Sequence, residues 1–168
     1  MPCQHGTCED TCDNNGYKCT CYENDWELQA GHVCFGAKGN NYGSIILRST
    51  GVLTKLRLLH TGEASLNCNM HRCSSGSKWG CCVTAGEIYI IITNKENEII
   101  APETMPKRYS YKLPGFDQNS AFIQFDVYNT TVKVGDELRI WHLQDIKDKS
   151  EYNNEGRSCA NVYAVFCD

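Results

Sequence analysis

Twelve Cys fall within 168 residues, and they form two blocks of different kinds. Cys3, Cys8, Cys12, Cys19, Cys21 and Cys34 crowd the first 34 positions, whereas Cys68, Cys73, Cys81, Cys82, Cys159 and Cys167 are spread along strand-like sequence. An even count at this density points to an oxidising compartment and a disulfide framework, hence to a secreted, extracellular protein. The first block cannot bury a core without staples, while the roughly 130 residues after it can. The chain therefore reads as a small stapled module over 1–36, a linker over 37–43 and a disulfide-stapled β domain over 44–168. The linker reading rests on Gly36-Ala37-Lys38-Gly39-Asn40-Asn41-Tyr42-Gly43, which is rich in Gly and Asn and has no apolar period.

Charge and hydropathy narrow the partners. The formal net charge is −4, and most of it sits in the first block, where Glu9, Asp10, Asp13, Glu23, Asp25 and Glu27 face Lys18 alone. That acidity reads as a solvated surface. No basic stripe exists, which argues against nucleic acid. No apolar run approaches the ~20 residues of a membrane span. Met1-Pro2 stands directly before Cys3 with no signal peptide, so the start reads as trimmed, with further sequence upstream.

Beyond residue 43 the period is two. Val52-Leu53-Thr54-Lys55-Leu56-Arg57-Leu58-Leu59 puts Val52, Leu56 and Leu58 on one face, and Lys55 and Arg57 on the other. Ile88-Tyr89-Ile90-Ile91-Ile92 is continuously apolar, as a strand buried on both faces would be. Ala121–Tyr128 and Leu138–Trp141 alternate, and Val134-Gly135-Asp136-Glu137 between them reads as a hairpin turn. No segment carries a capped helical period. The fold class is mainly β, an antiparallel β-sandwich of jelly-roll type.

The later cysteines are harder to pair. An extended strand from Cys159 to Cys167 holds them on one face about 26 Å apart, so they cannot bridge each other. Each is expected to pair with one of Cys68, Cys73, Cys81 or Cys82, and adjacent Cys81 and Cys82 to take different partners. Cys68, His71, Cys73, Cys81 and Cys82 could also ligate zinc, but an oxidising compartment favours disulfides.

No catalytic signature is present: no G-x-S-x-G, no H-E-x-x-H, and five scattered His. His142 shares a strand face with Leu138 and Ile140 and reads as a packed side chain. The chain is expected not to be an enzyme. The stretch from Trp141 to Arg157 carries the most chemistry. Asp145, Asp148, Glu151 and Glu155 supply oxygens of the kind calcium takes. Trp141 and Tyr152 offer flat faces for a sugar ring, with Asn153, Asn154 and Arg157 to fix its hydroxyls. Asn129-Thr130-Thr131 is the single glycosylation sequon, read as lying between strands.

Two resemblances add to this reading. The spacing C-x4-C-x3-C-x6-C-x-C-x12-C over 3–34, with Gly16-Tyr17 before the C-x-C pair and Trp26 after it, resembles an EGF-like module. That resemblance implies Cys3–Cys12, Cys8–Cys19 and Cys21–Cys34. The acidic cluster that calcium-binding EGF modules carry before the first Cys is absent or cut off, and the Arg of growth-factor ligands is missing, which implies a spacer or docking module. Over 43–166, the runs Lys78-Trp79-Gly80-Cys81, Tyr111-x-Leu113-Pro114-Gly115, Leu138-Arg139-Ile140-Trp141 and Gly156-Arg157-Ser158-Cys159-Ala160-Asn161-Val162-Tyr163-Ala164 resemble secreted cnidarian domains of coral skeletal-organic-matrix type. That implies an extracellular matrix or adhesion setting. The expected function is a non-enzymatic binding protein for a glycan or extracellular protein, with calcium as a candidate cofactor. The alternatives are a structural or mineral-associated matrix component and, behind it, a secreted toxin.

Overall fold

The computed structural model describes residues 6–10, 17–21, 25–62, 64–69, 71–73 and 75–167, with backbone alone for 6–10, 17–21 and Asn129. The period-two segments become strands of two facing sheets. One sheet has the order β3 (Glu27–Gly36), β10 (Arg157–Cys167), β5 (Gly51–His60), β8 (Phe122–Val132). The other has the order β4 (Gly43–Ile46), β9 (Glu137–His142), β6 (Ile90–Asn94), β7 (Ile99–Ala101). All their pairings are antiparallel. The expected antiparallel β-sandwich is therefore what forms. A separate ribbon pairs β1 (Gly6–Asp10) with β2 (Tyr17–Cys21).

The core lies between the sheets. Leu53, Leu56, Leu58 and Ile123 meet Ile45, Ile90, Ile92 and Ile140, each fully buried. Burying one such side chain stabilises the fold by about 1.5–3 kcal/mol before chain entropy is counted. On β5 the inward residue is Leu53, not Val52, because the strand takes two steps from Leu53 to Lys55 against one step of β10 from Phe166 to Val165, and the extra residue changes its phase. A bulge adds one residue to the ladder and so moves every side chain before it to the other face. The run at 88–92 is buried on both faces as its composition requires.

Three expectations fail at the connections. Residues 27–36 do not belong to a detached module: they form β3 and pair with β10 from Arg157–Gly36 to Ala164–Glu27. Segment 37–43 is not a free linker. The Ala37 N–H donates to Gly156 O, Ala37 itself is 1% exposed, and Gly36 leaves room for Asn41 where a Cβ would come within 2.5 Å of it. The turn at 133–136 is real, closed by Asp136 N–H to Lys133 O with Gly135 at φ 93°, but it is no hairpin. It carries the chain from β8 in one sheet to β9 in the other.

The disulfides correct the pairing scheme. Cys159 bonds Cys34 across neighbouring strands, Cys68 bonds Cys81, and Cys73 bonds Cys82. Cys167 is also disulfide-bonded, to a cysteine outside the later six. The two C-terminal cysteines therefore do not tie β10 to the 68–82 loop. The Cys21–Cys34 bond implied by the EGF resemblance is excluded, since Cys34 lies opposite Cys159 in the β3–β10 ladder. The Cys3–Cys12 and Cys8–Cys19 bonds lie outside the described side chains. The thiols proposed as zinc ligands are all oxidised.

Candidate functional site

The Trp141–Arg157 segment opens with a buried half. Trp141 points away from Leu138 and Ile140, yet its own side of β9 is covered too, and it is 3% exposed. Its ring lies 4.7 Å from that of Tyr42, among Ile91 and Leu143. The indole N–H donates to Thr93 Oγ1 at 3.2 Å. The expected sugar platform is thus a packing residue. His142 is packed as expected: it is fully buried and stacks on Tyr89 at 5.3 Å.

The four carboxylates do not gather into one site. After β9 the chain makes one helical turn, α1 (Leu143–Ile146). That turn aims Asp145 at segment 39–41, where the backbone N–H groups of Asn40 and Asn41 donate to its two oxygens at 2.8 and 2.9 Å. Gly39 N–H donates to Glu151 Oε2 at 3.1 Å. The Asp145 and Glu151 carboxyl groups are close enough to interact. Burial pushes Asp145 up to about 6 despite the two N–H donors, and the neighbouring Glu151 pushes in the same direction. Asp148 lies on the exposed turn that follows, and Glu155 pairs through its backbone with Asn67. Among the described residues, the one convergence of three potential metal ligands is His32, Cys34 and Cys159, whose two sulfurs are bonded to each other.

Asp145 and Glu151 therefore clasp the turn between β3 and β4. Asn154 completes the clasp from a fully buried position, its Nδ2 donating to Ala37 O at 2.9 Å. The Asp145→Asn variant keeps one acceptor but sets an NH2 against the other backbone N–H. A loss of about 1.5–3 kcal/mol is expected, read as a lower urea midpoint with an unchanged slope. An unaltered midpoint would show that the clasp is not structural.

The second half of the segment is open. Tyr152 is 80% exposed, Asn153 is half-buried, and Glu155 and Arg157 face solvent. Beside Glu155 lies a cleft of about 270 Å³ lined by Ser65, Asn67, Cys73, Ser75, Gly76 and Gly156 as well. Glycine is required at two of these positions. A Cβ on Gly156, at φ 81°, would stand 1.9 Å from Ser65 O, and one on Gly76 would stand 2.3 Å from the Ser65 backbone. The cleft wall is consequently bare backbone with hydroxyl, amide and carboxylate groups. Ser65, Asn67 and Ser75 were not legible as site residues, because no motif links the 65–76 loop to the 151–157 segment. A larger groove of about 690 Å³ runs between the edges of β3 and β4, and it is the flatter of the two.

This fold has a solved counterpart. The chain is similar to AJLec from the sea anemone Anthopleura japonica, a lectin by its name, with a TM-score of 0.75 and 25% identity. The match covers 84% of this chain and 96% of that one. No family model matches the sequence, and no curated protein matches it. The expected likeness to a cnidarian β domain is thereby met, while the EGF-like module has no counterpart among these findings.

Two further features bear on setting. Several disulfides fit an extracellular protein, and no helix among the described residues is long and apolar enough to cross a membrane. Asn129 lies within β8 and not between strands. The β5–β8 ladder steps from Leu53–Thr130 to Lys55–Asp126, so 127–129 form a bulge on an edge strand.

Proposed function

We propose that this protein is a secreted, non-enzymatic lectin whose β-sandwich binds a glycan in the cleft between the 65–76 loop and residues 155–156. The likeness to AJLec over 84% of the chain carries the reading. The cleft chemistry supports the site. Glu155, Asn67 and Ser75 combine acceptors and donors as sugar hydroxyls require, and the volume suits about one sugar ring on the low side of ordinary ligand pockets. Exposed Tyr152 and Arg157 lie on the same segment as Glu155. Calcium would enter through Glu155 or Asp148, the carboxylates not occupied by the clasp.

A glycan array on the oxidised protein, in calcium and again in EDTA, tests this directly. Binding that falls at least tenfold in Glu155→Gln, with an unchanged unfolding midpoint, supports the cleft. Loss of binding in EDTA adds the metal, and persistence discards it. An array with no binder in either buffer removes the lectin reading in favour of a structural matrix role.

A further inference from the structure

The β3–β10–β5–β8 sheet has a second face, away from the core, and its composition is unusual for a solvated one. Register sets Leu28 beside Tyr163, Tyr163 beside Arg57, and Arg57 beside Gln124, a row of four side chains on the outer face. The neighbouring rows add Leu59 and Phe122 on one side, and Lys55 with Asp126 on the other. An antiparallel sheet open to water ordinarily alternates to polar residues there. Here Leu28 is 43% exposed, and Tyr163, Leu59 and Phe122 are half-buried.

Arg57 stands at the centre of this face and is held on three sides. Its guanidinium carbon lies 3.9 Å above the Trp26 ring and 4.9 Å from the Phe122 ring, while Nη2 donates to Gln124 Oε1 at 3.0 Å. Phe122 is braced in turn by Phe116 at 5.4 Å, edge to face. No carboxylate of the described residues pairs with Arg57, and its buried Nε has no acceptor. A cation on a free side chain loses rotamer entropy when it binds. This one is already ordered by stacking, so a ligand's anionic group meets a prepared partner.

We infer that the outer sheet face centred on Arg57 is a binding site for an acidic saccharide, with the sugar carboxylate on the guanidinium and the ring lying over Leu28 and Tyr163. The charge complementarity selects an anion. The flanking polar groups select a hydroxyl-bearing one, because Gln124, Lys55 and Asp126 would be left unsatisfied beneath an apolar protein partner. Stacking against aromatic rings suits the C–H face of a pyranose. The site shares no residue with the Glu155 cleft and stands whether or not that cleft binds sugar.

The probe pair is trigalacturonic acid and its fully methyl-esterified counterpart, the same sugar with its charge removed, titrated by calorimetry at low ionic strength. The acid is expected to bind at least tenfold more tightly than the ester. Arg57→Gln should abolish that preference, and Trp26→Ala should weaken the acid by a similar factor by freeing the guanidinium. Unfolding midpoints within error of the parent establish that each variant is folded. Equal affinity for acid and ester, no binding of the acid, or a preference that survives Arg57→Gln overturns the proposal. So does a hexaglutamate peptide that binds as tightly as the acid through Arg57, since the site would then read carboxylates irrespective of the sugar.

Discussion

Replacing Cys34 and Cys159 together by Ser is expected to remove roughly 4–5 kcal/mol of stability, the upper range for one disulfide. The two cysteines are 125 residues apart in sequence. In the chain-entropy account, the cost of closing a loop in the unfolded ensemble rises with the logarithm of its length, so this bond constrains the unfolded chain more than a bond of short separation does. The other two described bonds close separations of 13 and 9. Removing Cys73–Cys82 should therefore cost about 2.5 kcal/mol by the same relation. Placement reinforces the order. Cys34–Cys159 pins the edge strand β3 to β10, which is hydrogen-bonded on both sides, whereas Cys73–Cys82 staples a surface loop. Guanidinium unfolding without reductant checks the ranking. Equal losses from the two double variants would refute the loop-length argument.

The second large effect is a dependence on pH that His142 imposes. Its imidazole is fully buried, and neither ring nitrogen has a hydrogen-bond partner. Burial holds its pKa down at about 3, against 6.5 for the free side chain. As pH falls below 6.5, the unfolded chain binds a proton that the folded one refuses, so stability is lost until the folded pKa is reached. The full effect is roughly 5 kcal/mol, at about 1.36 kcal/mol per pH unit. Asp145 acts in the opposite sense. Its folded pKa, about 6, lies above the free value of 3.8, so its contribution is fully present below 3.8 and is lost as pH rises through 6. Between pH 6 and 4 the two slopes oppose each other, and below 4 only the His142 loss continues. The denaturation midpoint should therefore be nearly level from pH 6 to 4 and fall steeply beneath. In His142→Phe, which preserves a ring against Tyr89, the fall below pH 4 should be much shallower. A variant that tracks the parent from pH 4 to 3 would acquit the imidazole.

The candidate site shows how far patterning reaches. Trp141 and Tyr152 looked equivalent as aromatic faces in a polar stretch, but one is 3% and the other 80% exposed. Their difference comes from Tyr42 and Leu143, which cover Trp141 from another connection and from α1. The acidic residues at 145 and 151 looked like calcium ligands because such ligands are carboxylates. Three unsatisfied backbone N–H groups at 39–41 claim the same oxygens. Whether a carboxylate meets an ion or a peptide turn depends on what the fold brings to it.

By itself, the amino-acid sequence determined the class of the molecule. Period-two alternation along 51–60, 122–132 and 137–142 is a local property of strands, and a chain of such segments buries its apolar faces by stacking sheets. Cysteine density likewise specified a disulfide-held fold without help from tertiary structure. Only the tertiary structure decided that 27–36 is an edge strand of the sandwich, that Cys34 bonds Cys159, and that the 37–43 segment is clasped. Each of these depends on a contact spanning more than 100 residues, such as Asn40 with Asp145 or Cys34 with Cys159. Alternation states which residues share a face. It does not state which strand lies beside which, nor whether the opposite face is left to water, and the cleft beside Glu155 and the row around Arg57 both follow from that second kind of fact.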